Sequence, residues 1–209
     1  MIYFFVTTSI NNDSITRKIQ YIYAINKLKE VISLMELTNY KIIIIENNGQ
    51  RETYLDTLGC EVFYTNNNKL QTNNKGYKEL QDIFDTIQKY QIQETDFIVK
   101  ITGRYILENN SEFMNIVKNL HIKHYDCIIR YGSFLEQAVK YKTDDCISGL
   151  IGMTCEFIKQ IKLPRENCAA EWDWAEVTYL IKDKNIYMVN KLGINIFPVY
   201  KDINDYFLV

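Results

Sequence analysis

The chain has 209 residues, which is enough for one sizeable hydrophobic core, and it is read as one domain. Its formal charge is -2, with 24 basic and 26 acidic residues spread along the whole length, so it lacks the electrostatic footprint expected of a protein that binds a nucleic-acid duplex or a membrane surface. Five cysteines (Cys60, Cys127, Cys146, Cys155, Cys168) with no C-x-x-C pair argue against a disulfide framework and a zinc site, and fit a reducing, cytoplasmic compartment.

Residues 1–9 are apolar for too short a run, and lack the basic leader, to be a signal peptide or a membrane span; they read as a first strand over 2–7. No other run approaches membrane-spanning length. Asn11, Asn12, Asp13 and Ser14 then supply turn and helix-capping chemistry. Ile15, Ile19, Ile22, Ile25, Leu28, Ile32 and Met35 recur at steps of three and four, predicting an amphipathic helix over 14–37 whose stripe packs on a sheet. The run 41–45 is apolar and β-branched without alternation, as in a strand covered on both faces. A short helix is expected at 50–58, stopped by Gly59 in a left-handed cap, and a strand at 61–64 follows. Next comes a helix carrying Leu80, Ile83, Phe84 and Ile87, entered through Asn74-Lys75-Gly76. The stretch Asp96-Phe97-Ile98-Val99-Lys100-Ile101-Thr102-Gly103-Arg104-Tyr105 takes a buried strand directly into polar chemistry. A helix at 110–120, a strand at 126–131 ending near Arg130, a strand at 149–153 and a short helix at 154–162 continue the chain. A helix from about 170 to 182 and strands at 186–190 and 194–199 close the sheet. Strand and helix alternate, which favours parallel βαβ units.

Ligands of open α/β sheets bind outside the carboxyl ends of the strands. Three such ends present Thr7, Thr8 and Ser9; Glu46 and Asn47; and Lys100, Thr102 and Arg104. Hydroxyls and amides there suit a base and ribose, while Lys and Arg suit phosphates. Ordinary loop polarity explains each site singly, so the argument rests on their convergence. Lys75 and Gly76 sit where a helix begins, a position that anions favour. Glu171-Trp172-Asp173-Trp174 is the best source of a catalytic carboxylate, because acids beside large aromatics are partly desolvated. Residues two apart face about 200° from one another on a helix, so one of the two acids should point into a site. Glu171 is preferred and Asp173 is second. The plainer alternative is that both acids favour the helix N-terminus electrostatically while the tryptophans pack. His121 and His124 have a spacing that could place both rings on one metal, although a solvated helix end explains them more simply. G-x-G-x-x-G and G-x-x-x-x-G-K-[ST] are absent, which weakens dehydrogenase and NTPase readings.

Asn74-Lys75-Gly76, Lys100-Ile101-Thr102-Gly103-Arg104-Tyr105 and Glu171-Trp172-Asp173-Trp174-Ala175, in this order, resemble the small nucleotide-sugar glycosyltransferases of the GT-A fold found in large DNA viruses and bacterial surface-polysaccharide clusters. The resemblance spans essentially the whole chain. It implies an α/β fold: a single GT-A-like, Rossmann-like domain over 1–209 with a mostly parallel central sheet flanked by helices. A nucleotide-binding half would cover about 1–105 and an acceptor-side half about 106–209. The implied activity is transfer of a hexosyl or deoxyhexosyl group from a nucleotide-diphosphate sugar, a UDP-sugar foremost, to a hydroxyl of a glycan or glycoconjugate. On that resemblance Thr7, Thr8, Ser9, Glu46, Asn47, Asn74, Lys75, Gly76, Lys100, Thr102, Gly103, Arg104, Tyr105 and Arg130 lie on the donor side. Gly149, Gly152, Trp172 and Trp174 wall the acceptor side, and Glu171 or Asp173 is the base. The sequence departs from the family in having no Asp-x-Asp. Either Lys100, Arg104 and Arg130 then stabilise the leaving diphosphate, or Mn²⁺ or Mg²⁺ is held by the diphosphate and one carboxylate such as Asp173, so that the metal is optional. The rival readings are a nucleotidyltransferase that makes nucleotide sugars and a non-catalytic glycan- or nucleotide-binding module. Neither glycine nor arginine occurs over residues 7–13, which counts against the nucleotidyltransferase.

Overall fold

In the computed structural model, which describes residues 1–10, 14–134, 136–196 and 207–209, the first half of the chain alternates strand and helix. It runs β1 (Ile2–Thr8), α1 (Ile15–Leu34), β2 (Tyr40–Glu46), β3 (Glu61–Tyr64), α2 (Lys75–Lys89), β4 (Phe97–Thr102) and β5 (Ile106–Leu107). The second half runs α3 (Glu112–Lys118), β6 (Cys127–Ile129), β7 (Leu150–Thr154), α4 (Cys155–Ile158), α5 (Ala170–Val177), β8 (Ile186–Met188), β9 (Ile194–Ile196) and β10 (Phe207–Leu208). The turn residues Asn11, Asn12 and Asp13, and the 197–199 part of the last expected strand, lie outside the described residues.

Seven strands form the main sheet in the order β3-β2-β1-β4-β7-β6-β8. β3, β2, β1 and β4 are parallel neighbours, as are β6 and β8, and β7 alone runs against both of its neighbours. The fold is thus α/β with a mostly parallel sheet. Alternation along β1 explains its two cores: Phe4 and Val6 join the α1 and α3 side, while Tyr3 and Phe5 join the side of α2, α4 and α5. Gly152 in β7 leaves room for the Phe97 ring, which an added Cβ would meet at 2.6 Å.

Several expectations about element extents are corrected. Ile15 and Ile19 are 74% and 54% exposed rather than packed on the sheet. A 20-residue helix spans about 30 Å and a seven-residue strand about 23 Å, so the first turns of α1 overhang the strand end. The expected 50–58 helix is only a 3₁₀ turn at Tyr54–Thr57, closed by a Thr53/Asp56 capping box between Gly49 and Gly59, both at positive φ. The 154–162 helix contracts to Cys155–Ile158. α5 gives way at Thr178, whose hydroxyl bonds the Ala175 carbonyl and the Tyr131 hydroxyl, each at 2.6 Å, and a 3₁₀ turn follows. β9 does not close the main sheet. It pairs with β5 and β10 in a separate antiparallel sheet of three strands, after Gly193 turns the chain at φ +69° against Ser111.

Candidate functional site

The carboxyl end of β4 opens, beside the N-termini of α2 and α5, onto a cleft of about 940 Å³. Asn74 builds one wall. Its side-chain oxygen accepts from Tyr77 N–H at 3.1 Å to cap α2, and its amide donates to the Arg165 and Cys168 carbonyls at 2.7 and 2.9 Å. Gly76 then lets α2 touch the start of α5, since an added Cβ would lie 2.3 Å from that of Ala170. Gly149 does the same for Tyr105, whose ring an added Cβ would meet at 2.4 Å.

Of the residues singled out from sequence, Asn74, Lys75, Gly76, Lys100, Thr102, Arg104 and Tyr105 line this cleft together. Gly149, Glu171 and Trp172 line it from the other side. Lys75 is exposed at its rim, and the Arg104 guanidinium lies 5.1 Å from the centre of the Tyr105 ring. The Tyr105 phenol is pushed up by burial. Glu171 accepts from the Ser148 hydroxyl at 2.9 Å. Asp173, two residues along the helix, is outside the lining. One of its carboxyl oxygens is buried without a hydrogen-bond partner, and burial, followed by the charge of Glu176, pushes its pKa up.

The remaining candidates stand behind the cleft or away from it. Gly103 packs its backbone on β1, where an added Cβ would lie 2.8 Å from the Thr8 methyl. The fully buried Glu46 accepts from Thr8 Oγ1 at 2.8 Å, Ile10 N–H at 3.1 Å and Asn48 Nδ2 at 2.7 Å, and pairs with Arg51 at 3.2 Å. It ties the end of β1 to β2. Ser9 N–H donates to the Tyr21 hydroxyl at 3.1 Å. Arg130 is buried, clamps the following loop through the Ser133 and Glu136 carbonyls at 2.9 and 2.6 Å, and donates to the Asn190 carbonyl beyond β8 at 3.3 Å. Trp174 is 2% exposed in the core, and Gly152 is in mid-strand, so neither walls the cleft. His121 and His124 bond separately, to the Lys118 carbonyl and to Asp126.

Sequence reasoning misses Glu79 and Ser148. The Glu79 carboxylate lies 3.0 Å from the Lys100 ammonium and accepts from the Thr7 hydroxyl at 2.6 Å, and the Lys100 ammonium also donates to the Ser148 carbonyl at 2.8 Å. A signal for Glu79 is present: it lies one turn into a helix with a clear apolar face, at i−4 from Ile83. Ser148 gives no such signal.

Behind the ends of β2 and β3, buried Asp82 accepts from Thr65 at 2.5 Å, Asn67 at 2.8 Å and Asn47 at 3.1 Å. Burial outweighs these bonds and pushes its pKa up to about 6. A folded-state pKa above the unfolded value means that this group's contribution is fully present below about pH 4 and is lost as pH rises through 6. Unfolding by urea across pH 4–7 should therefore show a loss of about 2 kcal/mol from this group, and Asp82→Asn should remove that slope.

Among the described residues no group of three or more His, Cys, Asp or Glu side chains is assembled to hold a metal ion, and no helix is long and apolar enough to cross a membrane. Asp173, the carboxylate expected to help hold a metal, lies outside the cleft lining, whereas the carboxylates of Glu79, Asp145, Glu166 and Glu171 line it.

No protein family matches this chain, and no curated protein matches it by sequence. Solved structures do match. A mannosyltransferase from Pyrobaculum calidifontis in complex with GDP-Man and Mn²⁺ has a TM-score of 0.57 at 9% identity, over 92% of this chain and 55% of that one. CMP:2-keto-3-deoxy-manno-octonic acid synthetase complexed with CTP gives 0.54 at 9% identity, over 90% and 88%. 4-Diphosphocytidyl-2C-methyl-D-erythritol synthase gives 0.53 at 8% identity, over 95% and 93%. The fold is thus the GT-A-like one that glycosyltransferases share with nucleotidyltransferases. At these identities the likeness is one of fold.

Proposed function

We propose that the protein is a glycosyltransferase that moves a sugar from a nucleotide-diphosphate sugar, a UDP-sugar foremost, to a hydroxyl of a glycan or glycoconjugate. The observation that carries this reading is the composition of the cleft: Lys75 and Arg104 line it near the α2 N-terminus and the β4 end, and Glu171 lines it from α5. Cations and a helix N-terminus suit the diphosphate. A carboxylate held by one hydroxyl suits an acceptor proton.

For inverting transfer the acceptor O–H proton passes to Glu171 as its oxygen attacks the anomeric carbon. The bond from that carbon to the diphosphate breaks, and the diphosphate leaves with the electron pair. Lys75, from the rim, and Arg104 meet its growing charge.

The test is to supply UDP-glucose and other UDP- and GDP-sugars with glycan acceptors, and to measure nucleoside diphosphate release with and without EDTA. Acceptor-dependent release is expected. No release from any donor, together with no calorimetric binding of nucleotides, would remove the reading. The second reading, a nucleotidyltransferase, is favoured by coverage, because the two nucleotidyltransferase structures are covered to 88% and 93% and the mannosyltransferase only to 55%. Pyrophosphate release from a nucleoside triphosphate and a sugar 1-phosphate would identify it.

A further inference from the structure

The Lys100 side chain is 2% exposed, yet it lies on the wall of an open cleft. Its ammonium has three donors, and the fold supplies three acceptors. The Ser148 carbonyl is at 2.8 Å, the Glu79 carboxylate at 3.0 Å and the Thr102 hydroxyl at 3.4 Å. Only one of the three is anionic. All three partners line the cleft with Lys100, and the Glu79 side chain is 28% exposed there, so the anionic partner is open to whatever enters. The Thr7 hydroxyl, at 2.6 Å, holds the carboxylate in place from β1. A buried ammonium without a counter-charge is costly, so a carboxylate at this point stabilises the empty cleft. The same carboxylate repels any anion that approaches that ammonium.

We infer that Glu79 is an internal counter-anion that holds the Lys100 ammonium in position while competing with the diphosphate of the ligand for it. Glu79 is a positioning residue that weakens anion binding. By keeping affinity for the released nucleoside diphosphate low, it favours product departure. This inference rests on the reading of the cleft as a diphosphate site.

Calorimetric titration of the full chain with inorganic pyrophosphate and with UDP tests it without any need for turnover. Glu79→Gln keeps the shape and the Thr7 bond but removes the charge, and it should bind both ligands about tenfold more tightly than the wild type. Adding Lys100→Met to Glu79→Gln should abolish the gain. Should Glu79→Gln unfold at the measuring temperature, Glu79→Asp draws the charge back by one methylene and should give a smaller gain of the same sign. Wild-type binding that is equalled or weakened in the Glu79 variants overturns the inference and leaves the diphosphate reading standing. A gain that persists without Lys100 also overturns it. Absence of binding by every protein removes both the inference and the diphosphate reading.

Discussion

Glu171→Gln should lower sugar transfer by about 10²–10⁴-fold, the usual contribution of a positioned general base, while nucleotide affinity changes little. The expectation rests on geometry. Glu171 lines the cleft and accepts from the Ser148 hydroxyl at 2.9 Å, whereas Asp173 is outside the lining. Asp173→Asn should accordingly have a much smaller effect on turnover. Steady-state kinetics at saturating donor, paired with calorimetric nucleotide binding, separates the two variants. The glutamine amide of Glu171→Gln keeps an oxygen to accept from Ser148, so loss of turnover with binding intact would report the missing proton acceptor and not a collapsed wall. Unchanged turnover in Glu171→Gln would reject the base assignment.

Most strands are legible because a strand covered on both faces is written as an unbroken apolar run, but the run does not give direction: β7 is as buried as its neighbours and runs antiparallel to them. The run 41–45 needs no alternation to be read. What composition does not encode is which partner a late strand takes. The 194–196 run reads like any buried strand, but Gly193 turns it against Ser111, so it pairs with β5 and β10 instead of the main sheet. The overhang of α1 is hidden for a similar reason: Ile15 and Ile19 continue the apolar period after the sheet beneath has ended. At the site, chain order brings out the residues that follow or end strands and begin helices, including Lys75, Lys100 and Arg104. It does not show that a helix residue, Glu79, reaches across to Lys100, or that Arg130 directs its donors to three backbone carbonyls. Neither arrangement is visible in local pattern, because each needs contacts made by the folded chain. Those contacts change the meaning of the strand-end Lys100 from a cation left open to phosphate to one whose charge the fold already shares with Glu79.

The two tryptophans of α5 illustrate the same limit and give the largest expected effect on stability. In sequence they read together as acceptor-side walls, yet Trp172 is 53% exposed and lines the cleft, while Trp174 is 2% exposed in the core with Ile83, Ile151 and Met153. Residues two apart on a helix point to different sides, so the two rings do not share one environment. Trp174→Ala should cost about 3–5 kcal/mol in urea unfolding, through lost burial and the cavity left behind. Trp172→Ala should change stability by less than about 0.5 kcal/mol, as expected of an exposed side chain. Its effect should fall on the acceptor, because an exposed aromatic face at a cleft rim suits the apolar face of a sugar ring. On the glycosyltransferase reading the acceptor KM of Trp172→Ala should rise about tenfold, a loss typical of a stacked ring. A large stability loss in Trp172→Ala, or none in Trp174→Ala, would contradict the division of the helix into a cleft face and a core face on which the placement of Glu171 also depends.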